Sequence, residues 1–195
     1  MPRPLRICQP NLTYHVFSRC SEKRDMMAED YYKDLMIQVL CMALEKYKFE
    51  LVSYVIMDNH FHFVIKTLDG EADISRIMQY IKARFAERYN KIMNRTGPFW
   101  NERYKDVIVE RQDNPLRYFL WLLWYIGFNP VRGGLCTDPA DFRYSSINAY
   151  LSENHLSRIS VTIHEYYLYL GNCFRERVEN FLFYKEEYLR RLEMA

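Results

Sequence analysis

The 195-residue chain has no long apolar run, no paired cysteines and almost no net charge, and each absence narrows what it can be. Its most apolar stretch, Tyr118 to Phe128, falls well short of the roughly 20 residues a membrane span needs. The N-terminus, Met1-Pro2-Arg3-Pro4, leads into polar sequence without the apolar centre of a secretory signal. The five cysteines, Cys8, Cys20, Cys41, Cys136 and Cys173, are dispersed and form no Cys-x-x-Cys pair. That argues against a zinc finger and for free thiols in a reducing compartment. A formal net charge of +2 does not by itself indicate a polyanionic partner. There is no internal repeat, no low-complexity segment and no Walker-type phosphate loop. These absences predict a soluble cytoplasmic protein with no membrane partner.

What the chain does have is aromatic side chains, 17 Tyr and 12 Phe, within an ordinary globular composition of 49% hydrophobic and 27% charged residues. The core should be rich in rings, and some rings are available as stacking surfaces. The length suits one well-cored domain, 1–150, with a helical extension over 151–195. The charge is also uneven. Between Arg76 and Lys105 eight cations face only Glu87 and Glu102, an excess of six positive charges that could attract a phosphate backbone or simply solvate a helix face.

Residues 1–12 carry three prolines and read as an irregular arm. Thr13 to Ser18 reads as a strand, Asp30 to Tyr47 as a helix, Phe49 to Met57 and His60 to Lys66 as two further strands joined across Asp58-Asn59. Asp73 is placed to cap a helix bearing Ile74, Ile77, Met78, Ile81, Phe85, Tyr89 and Ile92 at helical spacing, stopped by Thr96-Gly97-Pro98. Tyr104 to Glu110 reads as a fourth strand. The order βαββαβ predicts an α+β, ferredoxin-like antiparallel sheet with helices on one face and the third strand in the interior. Asn114-Pro115 then starts a helix that ends near Asn129-Pro130. Ser145-Ser146 leads into a short helix, Thr162 is a candidate cap for another, and Glu176 to Leu192 reads as a charged amphipathic helix.

Chemistry concentrates in two places. In Met57-Asp58-Asn59-His60-Phe61-His62-Phe63-Val64-Ile65, strand alternation projects His60 and His62 to one side. Two imidazoles on a rigid strand could hold one metal ion, or they could be polar side chains on the solvated face of a hairpin. On the later helix, Tyr125 and Asn129 are four apart and share a face. Tyr118 has Leu122 in the equivalent place, which cannot bind a metal, and Tyr104 has no such partner. If that helix crosses the His-bearing strand, two imidazoles and an amide oxygen could surround a divalent cation with a phenol alongside. That set suits phosphodiester cleavage, the phenol attacking phosphorus. The competing reading is that Tyr118, Leu122 and Tyr125 form a core stripe.

The order and spacing of several short blocks resemble a known family. They are Thr13-Tyr14-His15-Val16, the Met57 to His62 run, Thr96-Gly97-Pro98-Phe99-Trp100 with Arg103-Tyr104-Lys105, the Tyr125-Ile126-Gly127-Phe128-Asn129-Pro130-Val131-Arg132 block, and Ser145-Ser146 with Tyr150. Over roughly residues 10 to 150 the chain resembles the single-tyrosine HUH transposases, and most closely the REP-associated tyrosine transposases of bacteria. The resemblance implies a metal-dependent endonuclease and strand transferase acting on single-stranded DNA, often beside a hairpin, through a phosphotyrosine intermediate. It implies His60, His62 and Asn129 as ligands of Mg²⁺ or Mn²⁺ and Tyr125 as nucleophile. A protein of this kind would work at the nucleoid as a monomer or homodimer. Two positions depart from the family: Asp58 stands where Pro is frequent, and Gly127 where a polar residue or His is frequent. Gly127 would let the tyrosine helix hinge. With DNA as substrate, Lys82, Arg84, Arg88, Lys91, Arg95, Arg103 and Lys105 become candidate backbone contacts, Trp100 and Phe99 candidate stacking surfaces, and Arg3 and Arg6 candidate readers of the hairpin. The alternatives are a domesticated DNA-binding protein or repressor that no longer cleaves, and a nucleotide phosphodiesterase using water as nucleophile.

Overall fold

Among the described residues an antiparallel sheet of four strands carries the fold: β1 (Thr13–Arg19), β2 (Phe49–Ile56), β3 (His60–Thr67) and β4 (Lys105–Ile108), in the order β2-β3-β1-β4. The computed structural model describes residues 8–155 and 158–193. The strand order and the intervening helices α1 (Asp30–Lys46) and α2 (Ile74–Ile92) are those of the ferredoxin-like pattern, with β3 in the interior. Among the described residues the α-helices are α1, α2, α3 (Pro115–Gly127), α4 (Asn129–Arg132), α5 (Glu165–Leu168) and α6 (Phe174–Glu193).

Strand alternation divides the interior into two layers. Tyr14, Val16, Phe61, Phe63 and Ile65 meet Met36, Val39 and Leu40 of α1 and Ile77, Met78, Ile81 and Phe85 of α2. On the other side Val52, Val55 and Val64 meet Phe119, Leu122, Leu123 and Ile126 of α3. The sheet is therefore covered on both faces, and β2, buried at all but one position, shows no polar alternation. A register shift between Leu51 and Ser53 lets β2 keep apolar residues on both sides.

Local chemistry sets the helix starts. Asp73 Oδ1 accepts the Arg76 N–H at 2.8 Å, and Asn114 Oδ1 accepts the Arg117 N–H at 3.0 Å with Pro115 in the first turn. Four expectations are adjusted. α2 ends at Ile92, ahead of Gly97-Pro98, where Asn94 turns the chain with φ of 45°. β4 covers only Lys105–Ile108 before a 3₁₀ turn over 109–111. The segment after Ser145-Ser146 is a 3₁₀ turn over 147–150 rather than an α-helix. The cap of α5 is His164, whose Nδ1 accepts the Tyr166 N–H at 3.2 Å, while Thr162 instead donates its N–H to the Leu51 carbonyl at 2.8 Å. Arg3 and Arg6 lie outside the described residues.

The segment beyond residue 150 packs onto the far side of α3. Trp124 stacks on Phe181 at 4.5 Å and donates its indole N–H to the Phe181 carbonyl at 3.0 Å. Phe128 stacks on Tyr188 at 5.3 Å, and Arg117 pairs with Glu187. The Tyr150 hydroxyl donates to the Val52 carbonyl at 2.8 Å, and Tyr167 to that of Tyr150 at 2.6 Å. α3 is thus pinned between the sheet and the C-terminal helices. Among the described residues no helix is long and apolar enough to cross a membrane.

Candidate active site

The two-residue loop Asp58-Asn59 holds His60 in place. The Met57 N–H donates to the His60 carbonyl at 2.8 Å, closing the hairpin. Asp58 is anchored by the buried Lys33 ammonium at 2.8 Å, which also donates to the Ala28 carbonyl at 2.6 Å. Asn59 is fixed through its amide nitrogen, which donates to Asp25 Oδ1 at 2.7 Å and to the Lys23 carbonyl at 3.3 Å. Both partners only accept, so the amide oxygen of Asn59 is the atom that faces His60 Nδ1 at 2.7 Å. His60 Nδ1 must then carry the proton, and Nε2 keeps a free lone pair.

That lone pair points toward Asn129. The Asn129 side-chain nitrogen donates to the Tyr125 carbonyl at 2.7 Å, so its oxygen is turned to His60 Nε2, 3.4 Å away. Two bare acceptors facing each other repel unless a cation joins them. This convergence is the observation that fits the residues to a divalent ion. His62, two along β3, lies with its ring 5.2 Å from that of His60, and its Nδ1 meets His15 Nε2 at 2.9 Å. Burial lowers the pKa of His60 and holds that of His62 well below its ordinary value, with the neighbouring His15 and His60 adding to the latter. Burial alone brings His15 down to about 4. All three rings are therefore neutral at neutral pH, the state in which imidazole ligates a metal. Among the described residues no group of three or more His, Cys, Asp and Glu side chains could hold an ion, so a site here would need the amide oxygen of Asn129 beside the two imidazoles.

Tyr125 comes to the same place from α3. Its ring meets His62 edge-on at 5.5 Å and His15 at 6.2 Å, and Trp121 stacks against it at 5.3 Å. The Arg132 guanidinium lies 5.8 Å from the ring centroid. His60, His62, Tyr125 and Asn129 open together into a cleft of about 550 Å³ that is also lined by Arg19, Lys23, Arg103, Lys105 and Arg132, with Glu102 the one carboxylate among the described residues that line it.

A model of the IS200-like transposase family matches residues 8–117. The chain belongs to the IS200-like transposase family. The match takes in β1 to β4 with His60 and His62, and stops before Tyr125 and Asn129. A Haemophilus influenzae protein with the provisional name of REP-associated tyrosine transposase is 26% identical over 113 residues, covering 53% of this chain and 62% of the relative's length. The chain therefore spans under two thirds of that relative. A solved structure of a REP-associated tyrosine transposase bound to a REP hairpin superposes with a TM-score of 0.65 at 15% identity, covering 84% of this chain and 94% of the other, which shows a shared fold.

The predicted basic set divides in the structure. Arg103 and Lys105 line the cleft. Lys82, Arg84, Arg88 and Lys91 ride on α2, which packs against the opposite face of the sheet, and Arg95 follows that helix. Lys82 donates to the Glu102 carbonyl at 2.6 Å, Arg84 pairs with Glu87 at 2.8 Å, and Arg95 donates to the Pro98 carbonyl at 3.3 Å. Trp100 packs edge-on against Phe61 and Phe99 and donates its indole N–H to the Lys82 carbonyl at 2.9 Å. Phe99 is buried. Sequence reasoning missed His15, Arg19, Lys23, Asn59 and Arg132. His15, Asn59 and Arg132 lay within blocks that carried the resemblance, and Arg19 and Lys23 outside them. What each of them touches depends on strand register and loop course, which no local pattern encodes.

Proposed function

We propose that this IS200-like transposase is a metal-dependent endonuclease and strand transferase that cuts and rejoins single-stranded DNA through Tyr125. The observation that carries the reading is the placement, within one chain, of the Tyr125 phenol beside His62 and of the Asn129 oxygen against the bare Nε2 of His60. His60, His62 and Asn129 would hold Mg²⁺ or Mn²⁺. That ion supplies Lewis-acid polarisation of a phosphoryl oxygen.

Tyr125 attacks phosphorus from the wall of the cleft. Its phenolic oxygen forms the new bond to phosphorus as the bond to the 3′-oxygen breaks. The phenolic proton passes to water, and the departing 3′-oxygen takes one up. The energy of the phosphodiester is kept in the tyrosine ester, so a second 3′-hydroxyl can attack and regenerate the phenol without nucleotide hydrolysis. Trp121 limits the swing of the ring by stacking on it. Arg132, over the same ring, stands where it can offset charge on the phosphoryl group in the transition state. Arg19, Lys23, Arg103 and Lys105 hold neighbouring phosphates in the cleft. The hairpin in the solved relative makes hairpin-containing single strands the substrate to try first.

The test is a mixture of the protein, labelled hairpin-bearing single-stranded DNA and Mn²⁺. A denaturation-resistant protein–DNA adduct is expected, absent with Tyr125→Phe and with the double change His60→Ala, His62→Ala. An adduct that survives Tyr125→Phe overturns the nucleophile. DNA binding without any adduct, indifferent to His60 and His62, marks a repressor instead.

A further inference from the structure

His15 is not among the ligands or the nucleophile, yet it is buried beside them. It is 5% exposed on β1, opposite Val64 in the β3 ladder, and its Nε2 lies 2.9 Å from His62 Nδ1, with His62 itself 4% exposed. One proton sits between these two nitrogens, and its owner decides what His62 can do. If His15 Nε2–H donates, the proton of neutral His62 is on Nε2, and the nitrogen left for the cleft has no lone pair to give. If His62 Nδ1–H donates, Nε2 is a bare acceptor like that of His60.

From this contact, and resting on the metal-site reading above, we infer that His15 is a positioning residue that accepts the His62 Nδ1–H and so keeps His62 Nε2 open for the cation. The two ligands are then set by the same device with different parts. Asn59, its nitrogen tied to Asp25, accepts from His60 Nδ1, and His15 accepts from His62 Nδ1. Metal-bound imidazoles ordinarily donate their second N–H to a carboxylate, carbonyl or water, which fixes tautomer and ring plane. Here a second imidazole fills that role. The stacking of the His15 and His62 rings, centroids 5.1 Å apart and 22° from parallel, and the Phe17 ring 5.3 Å from His62 restrict tilting of the ligand.

Long-range ¹⁵N–¹H spectra of labelled, metal-free protein read the tautomer directly, and Mn²⁺ titration followed by electron paramagnetic resonance reads affinity. Wild type is expected to show His62 protonated at Nδ1 alone. His15→Phe keeps a ring in the same space without a nitrogen. It should lose that single tautomer and weaken Mn²⁺ binding about ten- to a hundredfold. His15→Gln offers an amide oxygen near the position of Nε2 and should keep both the tautomer and an affinity within roughly threefold of wild type. Wild-type His62 protonated at Nε2 overturns the assignment, as does folded His15→Phe that binds Mn²⁺ as tightly as wild type. If wild type takes up no Mn²⁺, the metal reading of the site fails, while the tautomer spectra still decide the role of His15. Should His15→Phe not fold, the wild-type spectrum alone remains decisive.

Discussion

The amide of Asn129 has its nitrogen committed to the Tyr125 carbonyl at 2.7 Å, so its oxygen is the atom turned to His60 and the one a cation of the proposed kind would meet. Replacing that nitrogen by oxygen in Asn129→Asp sets a carboxylate against the carbonyl. A stability loss of about 1–3 kcal/mol, read by denaturant melts, is expected from the broken bond and the repulsion. Asn129→Ala should abolish the DNA adduct while costing only about 1 kcal/mol in stability. Gly127, expected to act as a hinge, also meets a packing demand. A Cβ there would lie 3.1 Å from Ile147 Cγ1, so the glycine lets the 3₁₀ turn over 147–150 approach α3 closely. Gly127→Ala should lower the melting temperature, and adding Ile147→Val should restore part of the loss. Unchanged cleavage and rejoining rates in Gly127→Ala would remove the hinge. At this scale the spacing of His60 with His62 and of Tyr125 with Asn129 was readable, because the first pair shares β3 and the chain between the second keeps right-handed helical geometry through Phe128, from the end of α3 into α4. His15 and Asn59 were not, because what they touch is set by pairing across strands and by the course of the loop near Asp25.

α3 carries Tyr125, the proposed nucleophile, and two sets of contacts hold it: Phe119, Leu122 and Leu123 toward the sheet, Trp124 and Phe128 toward α6. Trp124→Ala should cost about 3–5 kcal/mol, since it empties a fully buried site and orphans a hydrogen bond to the Phe181 carbonyl. His164 ties α5 to the sheet. Its Nε2 meets Thr13 Oγ1 at 3.0 Å, and burial lowers its pKa to about 4. Below the unfolded value of about 6.5 the unfolded chain takes up a proton that the folded His164 refuses. Stability should fall with falling pH, by at most ~1.4 kcal/mol per unit, until about pH 4, where the folded ring also protonates. Denaturant midpoints at pH 7.5 and 5 should separate less in His164→Gln than in wild type. Equal separation would show that this ring does not couple folding to pH. The order of strands and helices was legible through hydrophobic period and caps, as Asp73 and Asn114 show. The cap of α5 was not, because imidazole at a cap works here only through a ring orientation held by Thr13, far away in sequence.

At the scale of the molecule, the cations of the cleft and those of α2 form two groups among the described residues that the chain order does not separate. Arg19, Lys23, Arg103, Lys105 and Arg132 surround the cleft, while the cations of α2 sit across the sheet, several engaged by Glu87, Gln38 or backbone carbonyls. Binding of single-stranded DNA should weaken with salt, and each cleft cation removed should reduce the slope of log K against log salt by about 0.7. Arg103→Gln is expected to do so, and Arg84→Gln, whose guanidinium already pairs with Glu87, to do so less. Fluorescence anisotropy at several salt concentrations distinguishes them, and equal effects would extend the DNA path over α2. The sequence by itself determined the elements, the ferredoxin-like order and the residues able to do chemistry, because period, capping and side-chain type are local properties. Only the tertiary structure decided that α3 crosses β3 so that Tyr125 reaches His62, that His15 rather than solvent meets His62 Nδ1, and which cations face the cleft. Those facts arise from packing and register between segments distant in sequence, whose relative placement is fixed only when both layers close on the sheet.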